Sequence, residues 1–210
     1  GSGVSGGNLK AAVGATSWNP PEARRELTWD LANAPRAANH LHAIGSTEDR
    51  ALAKKWLDRF SERGYGKTSA KGFPALLPEQ VIHGDLNDFN VLVQQQQSDA
   101  TPPPPSSSSS SSTPSSSASS SSSVAVSVLD FGDMVRTLRV FELSVALAYA
   151  CQNRPTPSAA LAAASAVVEG YASEQPLTPR EASALPVCVA ARLAQSVATS
   201  VSYFGVRRWS

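Results

Sequence analysis

The sequence most clearly lacks an excess of charge of either sign. It contains 18 lysine and arginine residues and 17 aspartate and glutamate residues, which gives a formal net charge of +1. Proteins that hold a nucleic-acid backbone present an excess of basic side chains to its phosphates, and this chain has no such excess. The composition therefore argues against a nucleic-acid partner and favours a small molecule.

Cysteine and long apolar runs are also scarce. Cys151 and Cys188 lie far apart and match no metal-ligand or redox spacing, so we expect reduced core thiols in an intracellular protein. The expected compartment is the cytoplasm, with the mitochondrion still open. No stretch reaches the roughly 18 apolar residues of a membrane span, and the start lacks the apolar core of a signal peptide. We therefore expect a soluble protein without a membrane partner, and its oligomeric state stays open.

Methionine occurs once, at Met134, and the chain starts with Gly-Ser-Gly, so we expect a processed piece or a fragment. Its 210 residues, 41% of them hydrophobic, suffice for one domain with a substantial core. We assign that domain to residues 18–210, after a flexible start at 1–17. The Ser- and Pro-rich tract at 98–123 cannot bury enough apolar area to fold, which predicts a disordered insertion.

Helical periodicity is strong at residues 46–63, where apolar side chains recur at three- and four-residue intervals. Ser46 or Thr47 is expected to cap this helix and Gly64 to end it. Residues 20–44 predict one or two further helices.

Three more helices are predicted after residue 140. The second of them, which is rich in alanine, is expected to end near Gly170. The third begins with Thr178 and Glu181 at the spacing of a capping box, and Pro186 is expected to adjust or interrupt it. Between the two helical regions, β-forming runs at 91–93 and 124–131 flank the Ser-rich tract and predict a β-hairpin with that tract at its tip.

The strongest chemical signal is the run HGDLNDFN at 83–90, followed by a strand and then by DFGD at 130–133. Phosphoryl transfer needs a carboxylate near the attacking hydroxyl and oxygen ligands that hold Mg²⁺ on the phosphates. An aspartate followed five residues later by an asparagine matches the kinase pattern H-x-D-x-x-x-x-N. The spacing predicts Asp85 as the catalytic base and Asn90 and Asp130 as the Mg²⁺ ligands that bind the nucleotide.

With Gly84 in place of arginine, the HGD loop resembles that of the aminoglycoside phosphotransferase and choline kinase-like superfamily. The runs HGDLNDFNVLV, LDFGDMVRTLRVFELSVALAY, ELTWDLANA and ARLAQSVATSV together resemble the hydroxylysine kinases. The resemblance covers most of 20–204 apart from the Ser-rich tract. It implies an α+β protein kinase-like fold, present mainly as the helical C-terminal lobe, with a β-hairpin between the catalytic and metal loops.

The resemblance implies an enzyme that transfers the γ-phosphate of ATP or GTP to the hydroxyl of a small amino alcohol or amino acid. The leading acceptor is 5-hydroxy-L-lysine. It also makes His83 a support of the loop and places Asp133, Trp29 and Asp30 as candidates at the substrate cleft. Asp133 has the alternative role of accepting hydrogen bonds from its own loop, and Trp29 that of a core anchor.

Glu142 follows Phe141 inside an apolar run. A buried carboxylate needs a partner, so we expect it to pair with Arg136 or Arg139 rather than to act as a catalyst.

A kinase-like fold also has an N-terminal nucleotide lobe, and we expect that lobe to be absent from this chain. The G-x-G-x-x-G match at 1–6 follows no apolar strand, and Gly66-Lys67-Thr68 lacks the first glycine of a Walker A loop. Two alternatives therefore stay open beside the leading one. The chain is a catalytically silent remnant or regulatory module, or a sister kinase acting on choline, homoserine, a methylthio-sugar or an aminoglycoside.

Overall fold

The computed structural model describes residues 27–66, 77–96 and 123–205. The start at 1–17 and the insertion up to residue 122 lie outside these ranges. Within them the chain is a mixed α+β structure, mostly helical, with two small antiparallel sheets. In chain order its elements are a 3₁₀ helix at Leu31–Ala43, α1 at Thr47–Glu62, β1 at Glu79–Ile82, β2 at Val91–Gln96, β3 at Ser123–Val128, a short 3₁₀ turn at Phe131–Asp133, β4 at Val135–Leu138, α2 at Val140–Cys151, α3 at Pro157–Glu174 and α4 at Pro179–Phe204.

Helix α1 forms as its sequence predicts. The Ser46 hydroxyl accepts the backbone N–H of Asp49, and Gly64 follows the last turn with a positive φ of 76°. Leu57 and Phe60 on its apolar face are buried. The helix is therefore fixed locally by its cap and globally by one packed face.

Helix α4 opens with the predicted capping box, in which Thr178 and Glu181 satisfy each other's backbone N–H groups. Of the two outcomes expected at Pro186, interruption does not occur, because α4 runs through it. Pro186 and Ala182 are both exposed, so water can satisfy the carbonyl of Ala182 that loses its partner. Helix α3 likewise continues through Gly170 to Glu174. A single glycine costs a helix only about 1 kcal/mol, too little to end one in this Ala-rich context.

The predicted hairpin is confirmed. Strands β2 and β3 pair antiparallel from Val91 opposite Val128 to Gln96 opposite Ser123. A second antiparallel pair, β1 with β4, was not predicted, and its register runs from Glu79 opposite Leu138 to Ile82 opposite Val135. This second sheet brings the start of the HGD loop next to the end of the DFGD element.

The core lies where α4 packs against α1, α2 and the 3₁₀ helix. Small buried residues on α4, among them Ala184, Cys188 and Ala191, allow a close approach to Phe60 and Phe141. Both cysteines carry free thiols, as expected. Within the described ranges, α4 is long and apolar enough to span a membrane by length and composition, but half of its apolar window is buried in this fold, as in the core helix of a globular domain.

Candidate active site

The predicted base, Asp85, lies in the loop that joins β1 to β2, with about a quarter of its side chain exposed. Its Oδ2 accepts hydrogen bonds from the side-chain amides of Asn87, at 2.8 Å, and Asn90, at 3.2 Å. Its Oδ1 accepts one from the guanidinium of Arg192 on α4, at 2.9 Å. Three donors therefore fix the orientation of a carboxylate that is still partly open to solvent.

The two predicted metal ligands lie at the same end of the hairpin. The N–H of Leu129 donates to the carbonyl of Asn90 at 2.9 Å, which extends the β2–β3 pairing by one step and places Asn90 beside the residue that precedes Asp130. Asp130 is exposed and has a left-handed backbone, with φ of 56°, and its Oδ1 accepts the N–H of Gly132.

These two residues fit Mg²⁺ chemically. The Asn90 side-chain nitrogen is engaged with Asp85, which leaves its oxygen as the atom that can serve a cation, and Asp130 offers an exposed carboxylate. No three His, Cys, Asp or Glu side chains converge anywhere in the described part of the chain. A cation held here would therefore complete its shell with phosphate oxygens and water, as Mg²⁺ does in kinases.

His83 connects the catalytic loop to the metal loop. Its Nε2 lies 2.7 Å from the carbonyl oxygen of Leu129, which can only accept, and its Nδ1 lies 3.3 Å from the N–H of Asp85, which can only donate. Both contacts are satisfied by the tautomer that carries its proton on Nε2. The centroid of the His83 ring also lies 5.3 Å from that of the Phe131 ring, in an edge-to-face arrangement. This geometry fits a supporting role for His83.

Glu142 is half-buried, but the expected partner is wrong. Its carboxylate accepts the backbone N–H of His83, at the start of the catalytic loop. Arg139 pairs instead with Glu181, and Arg136 lies 3.7 Å from Glu79. Burial raises the pKa of Glu142, and the hydrogen bond from His83 offsets this only in part. A backbone partner leaves no trace in the pattern of charges, so the sequence could not reveal it.

Arg192 is a residue of the site that the sequence analysis missed. Its side chain is 1% exposed, yet its guanidinium contacts the Asp85 carboxylate, the carbonyl of Trp29 at 2.6 Å and the hydroxyl of Tyr149 at 3.2 Å. The Trp29 and Tyr149 rings lie 5.7 and 5.6 Å from it. An arginine inside the otherwise apolar run 187–194 was the available signal, because a buried charge requires a partner.

The three candidate substrate residues have different positions. Trp29 is half-buried against Arg192 and so belongs to the cluster around Asp85. Asp30 is 2% exposed and caps the 3₁₀ helix by accepting the N–H of Ala32. Asp133 is half-buried, and its backbone carbonyl lies against Gly84.

Two of the cavities in the described part of the chain involve α4, and both lie apart from the catalytic loop. One, of about 820 Å³, lies between α1 and α4. The other, of about 310 Å³, lies between the 3₁₀ helix and the end of α4, and is lined partly by Gln195 and by Asn33, whose buried Oδ1 has no hydrogen-bond partner in the described chain. Neither is lined by the predicted base or metal ligands.

The chain is distantly homologous to hydroxylysine kinases, an aminoglycoside phosphotransferase and choline kinase-like family, which confirms the resemblance seen in the sequence. It is 29% identical over 174 residues to the hydroxylysine kinases of Bos taurus and Mus musculus, and 26% identical to that of Danio rerio. These matches cover 83% of this chain but only about two fifths of each relative's length, 39% for the first two and 40% for the third. No protein-family model and no solved structure matches the chain.

Proposed function

We propose that the protein transfers the γ-phosphate of ATP or GTP to the hydroxyl of a small amine or amino acid, with 5-hydroxy-L-lysine as the first acceptor to test. One observation carries the proposal. The hydrogen bonds of Asn90 to Asp85 and to Leu129 gather a partly exposed carboxylate and two hard-oxygen ligands at one end of the hairpin. The distant homology to hydroxylysine kinases supports the same chemistry.

In this proposal Asp85 orients the acceptor hydroxyl and takes its proton. Because phosphoryl transfer needs little covalent help from the protein, a fixed carboxylate contributes by orienting the hydroxyl as well as by accepting its proton. Asn90 and Asp130 would hold Mg²⁺, which neutralises charge on the phosphates when bound. His83 and Glu142 keep the loop in the conformation that presents Asp85.

The exposed apolar face of the β2–β3 hairpin supports the proposal that this chain is a kinase-like C-terminal lobe that packs against a further lobe. Cross-strand pairing places Val91, Val93, Val124, Val126 and Val128 on one face, and Val93 and Val126 are 66% and 61% exposed. A two-stranded hairpin is at best marginally stable alone in water, so an apolar face of this kind needs cover. We propose that the nucleotide-binding lobe of the intact protein packs there.

The silent module stays the second candidate. A kinase-like enzyme uses a lysine to hold the nucleotide phosphates, whereas a regulatory module can keep the fold without one. The assay must therefore be able to return a negative answer.

The test measures ATP and GTP consumption with Mg²⁺ by the protein expressed from its complete reading frame. The acceptors are 5-hydroxylysine, choline, homoserine and an aminoglycoside. Asp85→Asn should lower kcat about 10²- to 10⁴-fold, the usual contribution of a general base. Asp88→Asn, an exposed change in the same loop, is the matched control and should leave kcat within about twofold.

Each result has a clear reading. Turnover of one acceptor that Asp85→Asn abolishes and Asp88→Asn preserves supports the phosphotransferase and identifies its substrate. A folded protein that consumes nucleotide with none of the acceptors supports the silent module. Activity in Asp85→Asn within tenfold of the parent would remove Asp85 from the mechanism.

A further inference from the structure

We propose that Arg192 is a positioning residue for Asp85: it holds Oδ1 of the carboxylate and leaves Oδ2 to receive the acceptor hydroxyl. The inference rests on the proposed function, because it assigns Asp85 its catalytic orientation. It adds to that function a residue from the last helix of the described chain, 107 positions away in sequence.

The guanidinium is itself held on several sides. Nη1 donates to the carbonyl of Trp29 and more weakly to Gln195, and Nη2 is shared between Asp85 and the Tyr149 hydroxyl. The buried Nε has no hydrogen-bond partner in the described chain. The rings of Trp29 and Tyr149 both lie within 6 Å of its central carbon. The contacts come from the segment before the 3₁₀ helix, from α2 and from the catalytic loop. The position of the guanidinium, and through it that of the Asp85 carboxylate, therefore depends on how these three elements pack.

Arg192 and Asp85 are buried to different degrees, and this difference decides which oxygen of Asp85 is available to a substrate. Arg192 is 1% exposed, whereas the side chain of Asp85 is 25% exposed. A buried cation has no water to stabilise its charge, so it must keep its carboxylate partner. Oδ1 of Asp85 therefore stays in the ion pair with Arg192. Oδ2 accepts from two neutral amides, that of Asn87 at 2.8 Å and that of Asn90 at only 3.2 Å, and the latter also donates to the Asp85 carbonyl. Exchanging the weak Asn90 bond for a substrate hydroxyl costs less than breaking the charged pair at Oδ1.

Arginine is required by geometry as well as by charge. Its planar group reaches Trp29, Tyr149 and Asp85 with two nitrogens set at a fixed angle. A lysine at position 192 would keep the positive charge but present a single nitrogen, which cannot serve all three acceptors. Arg192→Lys thus separates positioning from charge neutralisation.

The experiment is a double-mutant cycle on kcat with Asp85→Asn, Arg192→Lys and the combined variant, at saturating nucleotide. We expect Arg192→Lys to lower kcat at least about tenfold, with the nucleotide KM within about twofold, and to cause no further loss in the Asp85→Asn background. Losses that multiply would show that Arg192 acts independently of Asp85, and a kcat within twofold of the parent would show that it does not act at all. Either result overturns the proposal.

Two further variants guard against a purely structural effect. Arg139→Lys disturbs another buried arginine–carboxylate pair that also ties α4 to the core. It should lower the melting temperature while its effect on kcat multiplies with that of Asp85→Asn. Tyr149→Phe removes one contact of the guanidinium without changing any charge, and should lower kcat a few-fold only when Asp85 is present. If Arg192→Lys does not fold, this Tyr149 cycle decides the proposal by the same criterion.

The same variants distinguish this inference from the proposed function. A folded wild-type protein without turnover overturns the proposed function. The cycle is then read on melting temperature, where the loss caused by Arg192→Lys should be much smaller in the Asp85→Asn background. Additive losses of melting temperature would overturn the pairing itself.

Discussion

The backbone carbonyl of Asp133 lies directly against Gly84. A Cβ built on Gly84 would stand 2.7 Å from that oxygen, and Gly84 also has a left-handed φ of 83°. The catalytic loop and the metal loop therefore touch through their backbones, at a point where no side chain fits. This contact explains in physical terms why glycine stands between His83 and Asp85.

Gly84→Ala should therefore be strongly unfavourable. The left-handed backbone alone costs about 1–3 kcal/mol for a residue with a Cβ, and the clash with Asp133 adds to this because a backbone atom cannot move aside cheaply. Chemical denaturation should show the loss of unfolding free energy, and turnover in the proposed assay should fall with it.

Gly170→Ala is the matched control. Gly170 lies inside α3, and nothing comes within 4 Å of a Cβ placed there. The same substitution should stabilise the protein by about 0.5–1 kcal/mol. A Gly84→Ala protein as stable as the parent would contradict the close backbone contact.

The raised pKa of Glu142 predicts a dependence of stability on pH. Burial raises this pKa above its ordinary value of 4.5, so the folded protein binds the proton more tightly than the unfolded chain does. The resulting stabilisation is complete below about pH 4.5 and is lost as the pH rises through the folded pKa. Glu142→Gln keeps an acceptor for the N–H of His83 and removes the titration.

We therefore expect the melting temperature of Glu142→Gln, relative to that of the parent, to increase between pH 4 and pH 8. Thermal unfolding across that range measures the difference. A difference that stays constant with pH would mean that Glu142 has the same pKa in the folded and unfolded states.

The ion pair of Arg139 and Glu181 should make a large contribution to stability. Glu181 is fully buried, and Arg139 bonds its carboxylate through two nitrogens. Burial alone would raise the pKa of Glu181, but the bonds from Arg139 and Thr178 outweigh it and lower the pKa. Arg139→Gln leaves this carboxylate unpaired and should cost about 3–5 kcal/mol near neutral pH.

The sign of the pH effect is opposite to that of Glu142. The contribution of Glu181 is complete above about pH 4.5 and disappears as the pH falls through its lowered pKa, so the cost of Arg139→Gln should shrink in acid. Lys54→Gln breaks an exposed pair with Asp58 on α1 and should cost at most about 0.5 kcal/mol. Equal losses in the two variants would contradict the difference in burial.

The two free thiols should differ in reactivity. Burial raises the pKa of Cys188 to about 12, whereas Cys151 is only half-buried at the end of α2. A thiol reagent at pH 8 should modify Cys151 in the folded protein and reach Cys188 only on unfolding. Mass spectrometry of the labelled peptides checks this, and Cys151→Ser should abolish labelling of the native protein.

Local signals predicted most of the secondary structure. The Ser46 cap, the Thr178–Glu181 capping box and the hairpin all depend on residues close in sequence or on a simple alternating pattern. Gly170 and Pro186 carry local penalties that an Ala-rich helix and an exposed helix turn can absorb, so α3 runs past Gly170 and α4 runs through Pro186.

The interactions that hold Asp85 and His83, in contrast, join residues that are far apart in sequence. Arg192 meets Asp85 across 107 residues, and Glu142 reaches the backbone of His83 across 59. Neither relationship has a spacing that could be read along the chain. The motif singles out Asp85, Asn90 and Asp130 as candidates from the sequence, whereas the residues that hold Asp85 and His83 in place depend on how α2 and α4 pack.

Strands β2 and β3 remain paired out to Gln96 and Ser123, so the chain leaves the hairpin and re-enters it at adjacent positions. Asn90 and Asp130 lie at the opposite end of the hairpin, beyond the six paired positions of β2 and β3. These six pairs set the register next to Asn90, so a fluorescent reporter inserted between Gln96 and Ser123 should leave the position of the two candidate metal ligands unchanged.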